Sequence, residues 1–182
     1  PAPSPQPQAQ SALSEDINDR GFVVVGLKRN KLYLNEIISL TIKLYVNRLA
    51  LRDIQYPEFN HEGFSVGQFE QPKQYQELIN GVPFDVIEFN VSIFGIKPGE
   101  FRLGPSVIKC NLIVRRGSLG QGRFDDLFGD FFGRYDTHPM SLHSADFPVT
   151  VLSVPEEGRP AHYSGAVGSF GLDASLSPQE VK

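Results

Sequence analysis

The chain has 182 residues, 40% of them hydrophobic and 21% charged, with 14 Phe and no Trp. This composition suits one well-cored domain plus a remainder and excludes a wholly disordered chain. The net charge of −4 argues against nucleic acid, the lone Cys110 excludes an internal disulfide, and no apolar run reaches the ~18–20 residues of a membrane span.

Residues 1–19 are rich in Pro and Gln and read as an extended linker, without the basic and apolar regions of a signal peptide. Residues 20–154 read as an immunoglobulin-like antiparallel β-sandwich. Phe22–Leu27 is its first strand, and Lys28–Asn35 is polar and turn-like, anchored by Leu32 and Leu34. From Glu36 to Asn47 the pattern alternates: Ile38, Leu40, Ile42, Leu44 and Val46 share one face, and Ser39, Thr41 and Lys43 the other. Leu51–His61 carries Pro57 and crosses between sheets; Gly63–Glu70 is a short strand. Asn80-Gly81 separates Gln74–Ile79 from Val82–Phe94, and such a pair between β-rich runs predicts a type I′ hairpin. A turn at Lys97-Pro98-Gly99, a strand at Phe101–Leu103, another at Ser106–Arg115 and a last one at His143–Val154 complete about eight strands.

The insert 117–140 interrupts this pattern. Phe124, Leu127, Phe128, Phe131 and Phe132 recur at helical spacing between Asp125, Asp126 and Asp130, which predicts a short helix with one apolar stripe. Gly129 and Gly133 weaken it, so it needs something to dock on. Either it packs on its own sandwich, or those five residues bind a partner. After a second linker, 155–163, residues 164–182 repeat the start of the domain loosely: Phe170, Leu172 and Ala174 against Phe22, Val24 and Gly26. They read as the first strand of a second, truncated β module, able to self-associate by pairing with a sheet edge.

Catalytic chemistry is not indicated. His61, His138, His143 and His162 form no metal-ligand spacing with Cys110 or each other. Cys110 falls on the inward face of its strand, as a small buried hydrophobe does. Asp125, Asp126, Asp130, Glu156 and Glu157 lack the pattern of a calcium loop, and Gly165–Gly168 opens no helix after a strand. No cofactor, metal or catalytic residue is expected.

Several motifs occur in a fixed order: Gln74-Tyr75 through Asn80-Gly81 to Phe84-Asp-Val-Ile-Glu88; Phe94 with Lys97-Pro98-Gly99-Glu100 and Leu103-Gly104-Pro105; the Phe124-Asp-Asp-Leu-Phe-Gly-Asp-Phe-Phe-Gly133 insert; and Leu152 through Pro160 into Ser164-Gly-Ala-Val-Gly168 and Phe170. In these the chain resembles the BatD family of oxygen-tolerance proteins, over most of Phe22–Pro178. The resemblance implies a periplasmic portion of an inner-membrane-anchored envelope protein built of immunoglobulin-like modules. It implies partners among the von Willebrand A-domain proteins of the same operon, beside a MoxR-type ATPase, and a role in oxygen and stress tolerance. It implies membrane attachment only through a segment absent from this sequence, and it supplies no catalytic residues. The expected function is a non-catalytic protein–protein interaction module. The alternative is a ligand- or glycan-binding sandwich, in which Tyr33, Tyr45, Tyr56 and Tyr75 form an aromatic platform.

Overall fold

A computed structural model describes residues 19–115, 135–168, 170–171 and 173–175. Its named elements are all strands: β1 (Gly21–Leu27), β2 (Lys31–Tyr33), β3 (Ile37–Val46), β4 (Ala50–Arg52), β5 (Glu58–Phe59), β6 (Phe64–Phe69), β7 (Lys73–Ile79), β8 (Val82–Gly95), β9 (Gly99–Leu103), β10 (Ser106–Arg115), β11 (Tyr135–His143) and β12 (Phe147–Leu152). One sheet runs β1-β3-β8-β6, with β7 also on β8; the others run β11-β10-β4, with β5 on β10, and β2-β12-β9. The order β1-β3-β8-β6 facing β4-β10-β11 is that of an immunoglobulin-type sandwich, A-B-E-D against C-F-G, with β9–β10 in the place of strand F and β11–β12 in that of strand G.

One core joins the layers, because alternate side chains of each strand point inward. Val23, Leu40, Ile42, Leu44, Phe89, Val91 and Ile93 from the first sheet meet Leu32, Leu103, Ile108, Leu142, Val149 and Val151 from the others. The alternation read across Ile38–Val46 is the one observed, and the expectation that Ile108, Cys110, Leu112 and Val114 share an inward face holds at Ile108 and Cys110. It fades at Val114, which is 43% exposed where β10 runs past the core.

The Asn80-Gly81 turn is type I′, with φ of 51° and 80° at its two residues. It sets Ile79 opposite Val82 and fixes the β7–β8 register back to Lys73↔Glu88. β6 and β7 lie end to end along one side of β8, with a register shift between Val66 and Phe69.

β9–β10 and β11–β12 form one long hairpin. Leu103 opposes Phe147 and Val107 opposes His143, four residues further along each strand, so a single register spans the bend between them. Its last pair is Arg115↔Tyr135, and residues 116–134 join those two positions.

Three expectations are corrected. The turn-like reading of Lys28–Asn35 misses β2, which lies parallel to β12 and buries Leu32 to 1% exposure. The insert 117–140 ends earlier than expected, because Tyr135–Met140 is strand. Among the described residues β11 pairs only with β10, so Pro139 sits on an edge strand, where its missing N–H costs no ladder bond. The single closing strand His143–Val154 is two strands, β11 ending at His143 and β12 spanning Phe147–Leu152. The helix expected at Phe124–Phe132 lies outside the described residues. Of the segment expected to open a second module, Val167 makes a parallel bridge to Glu36, and the Asn35 side-chain amide donates to the Gly165 carbonyl at 3.5 Å. Phe170 and Ala174 belong to no strand, and Leu172 is outside the described residues.

Candidate functional site

The outward face of the β1-β3-β8-β7 sheet carries more than solvated polar side chains. In β1, β3 and β8 the residues between the core positions are Phe22, Val24 and Gly26; Thr41, Lys43 and Tyr45; and Phe84, Val86, Glu88 and Asn90. Phe22 stacks on Tyr45 with centroids 4.8 Å apart, and Phe84 meets both rings edge-on. With Val86 and Ile79 they form a second apolar cluster outside the sandwich core.

A polar network adjoins it. Thr41 Oγ1 donates to Asn90 Oδ1 at 2.7 Å, and Asn90 Nδ2 donates to Glu88 Oε1 at 2.9 Å. The Tyr75 hydroxyl donates to Glu88 Oε2 at 2.8 Å, and the Tyr45 hydroxyl to Glu77 Oε2 at 3.2 Å. Lys43 Nζ lies at the centre, 3.5 Å from Glu77 and 3.9 Å from Glu88. Hydrogen bonds from Asn90 and then Tyr75 hold the Glu88 carboxyl below its ordinary range. Hydrogen bonding to Tyr75, above all, holds Lys43 above its own, against the opposing effect of burial. Partial burial pushes both the Tyr45 and Tyr75 phenols up. A carboxylate kept ionised beside an ammonium kept charged suits recognition of a polar group better than proton transfer.

Beside the network runs a groove of about 410 Å³, lined by Val24, Gly26, Thr41, Lys43, Tyr45 and Glu88 among others. Gly26 opens it: nothing lies within 4 Å of where a Cβ would stand.

Of the four tyrosines expected to form a platform, Tyr45 and Tyr75 come together around Lys43. Tyr33 lies on β2 in another sheet, and Tyr56 packs against Phe69 and Phe89. His138 and His143 are both on β11, at odd separation, and so face opposite sides of the strand. Among the described residues no three His, Cys, Asp or Glu side chains are placed to hold a metal, and no helix is long and apolar enough to cross a membrane. Cys110 is buried, and burial pushes its thiol up. The expected partner-binding residues Phe124, Leu127, Phe128, Phe131 and Phe132 lie outside the described residues.

Thr41, Lys43, Glu77, Glu88 and Asn90 were not anticipated as a group. Their signal is faint: polar residues alternating with core residues on β3 and β8, which meet only once the register is known. No family model, curated protein or solved structure matches the chain.

Proposed function

We propose that this chain is a non-catalytic protein–protein interaction module from the periplasmic side of a membrane-anchored bacterial envelope protein, acting in oxygen and stress tolerance. The observation that carries this reading is the Arg115↔Tyr135 pair at the end of the long hairpin. It holds both ends of residues 116–134 side by side, at the position of the loop between strands F and G, where immunoglobulin variable domains carry a binding loop. That segment contains the Phe124–Phe132 stripe. The apolar side chains flanking it are already uncovered, Val114 at 43% and Tyr135 at 65% exposure. Resemblance to the BatD family makes von Willebrand A-domain proteins, alongside a MoxR-type ATPase system, the partners to test first. A pulldown of such a protein should lose most of its signal with the Phe128→Asp/Phe131→Asp chain. Unchanged capture removes the segment from the interaction.

A second reading is favoured by the groove beside Lys43. A glycan or other polar ligand stacking on Tyr45 and bonding to Lys43 and Glu88 would use the chain as a binding sandwich. Glycan-array binding that Lys43→Ala abolishes supports it; a silent array counts against it.

A further inference from the structure

β7 is an outermost strand: among the described residues it pairs with β8 alone. The type I′ turn makes Ile79 and Val82 a hydrogen-bonded pair, so Lys73, Tyr75 and Glu77 bond to β8 as well. Gln74, Gln76 and Leu78 therefore turn their backbone N–H and C=O groups toward the open side. Lys73, Gln74, Tyr75 and Gln76 are all exposed, Tyr75 to 37%, and Leu78 is exposed to 72%. Among the described residues no strand covers this edge, and natural sheets seldom leave such a row of groups unblunted.

The five residues Lys73-Gln74-Tyr75-Gln76-Glu77 read nearly the same in both directions, with opposite charges at the two ends. We infer that β7 pairs antiparallel with β7 of a second copy about a twofold axis at Tyr75, joining two sandwiches through one continuous sheet. In that register Gln74 and Gln76 of one copy exchange backbone bonds with Gln76 and Gln74 of the other. The Leu78 N–H adds one bond at each end to the carbonyl of Pro72, whose missing N–H is the only gap in a ladder of about six bonds. Tyr75 faces Tyr75, and each Lys73 faces Glu77 of the second copy. Both are non-hydrogen-bonded pairs, the kind that bring side chains closest. On the opposite face Leu78 covers Pro72. Moving the axis to Gln76 keeps the backbone bonds but sets Lys73 against Ile79, so the charges select the Tyr75 register. The contact is isologous and closes as a dimer, because each copy contributes its one β7 edge.

Sedimentation velocity of the 182-residue chain from ~10 μM to ~1 mM at low ionic strength tests this. The expected result is a concentration-dependent dimer. Lys73→Glu sets like charges opposite each other twice and should weaken it at least ~10-fold. Raising the salt to ~0.5 M, which screens the two Lys73–Glu77 pairs, should weaken the dimer as well. Gln76→Pro removes an outward N–H that β8 does not use, and should abolish the dimer with the circular dichroism spectrum unchanged. A chain that stays monomeric throughout overturns the proposal, as does a dimer indifferent to Lys73→Glu and Gln76→Pro. A dimer equally tight at low and at ~0.5 M salt overturns the register, since it owes nothing to the Lys73–Glu77 pairs.

Discussion

The Lys43 ammonium lies 5.5 Å from the centre of the Tyr75 ring, although their strands, β3 and β7, are not neighbours. The side chains meet over β8, which separates the strands, and both engage its Glu88. Three strands are thus tied on a face that, among the described residues, packs against no other layer.

Acid should loosen this tie. The folded-state carboxyl of Glu88 is depressed, so the stability it contributes is present above its ordinary value of 4.5 and is lost as pH falls below that. Glu88→Gln should lower stability at neutral pH and flatten the decline below pH 4.5. Urea unfolding across pH 3–7 reads this directly, and parallel curves for both chains would assign the acid sensitivity elsewhere.

Tyr75→Phe keeps the ring beneath Lys43 but removes the hydroxyl that bonds to Glu88. Loss of that bond, together with the one Lys43 makes to the same hydroxyl, should cost about 1–3 kcal/mol in urea unfolding. A cost clearly above that would show that the network, rather than these two bonds, is removed.

Gly95 is required by space. A Cβ there would lie 2.7 Å from both Val151 methyl carbons, at the contact between β8 and β12. Gly95→Ala should destabilise by about 1–3 kcal/mol. Adding Val151→Ala should cost clearly less than the sum of the two single changes, since removing the methyls relieves the clash. Additive melting shifts would contradict this contact.

Side chains in alternate positions of β3 should differ sharply. Ile42 is fully buried, and truncation to Ala should cost about 2–5 kcal/mol. Ser39→Ala, on the exposed face, should stay within about 0.5 kcal/mol. Similar costs at both sites would mean that the sheet is not packed on one side as described.

Cys110 should resist thiol reagents in the folded chain, since it is 5% exposed and its thiol is raised by burial. Labelling should follow the unfolding transition in urea. Rapid labelling without denaturant would place the thiol at the surface.

Most of the sandwich was legible because its signals are local. The alternation in β3 and the first half of β10, and the Asn80-Gly81 turn, depend only on neighbouring residues. β2 was hidden because it is three residues long and is held by β12 from far along the chain. β11 was hidden by Pro139 and by the polar side chains an edge strand tolerates. The Lys43 network was invisible for a different reason. Tyr75, Glu77 and Glu88 reach Lys43 only through the pairing of three strands, and no spacing within one strand announces that.

The unbroken register of the β9–β10 and β11–β12 hairpin fixes where its last pair, Arg115↔Tyr135, lies. Alignment of its arms is enforced by inward side chains, Leu103, Ile108, Leu142 and Val149 among them. A slip of one residue anywhere along the arms would turn every one of those side chains to the wrong face. The two ends of the pair are therefore held in step by contacts made far from them.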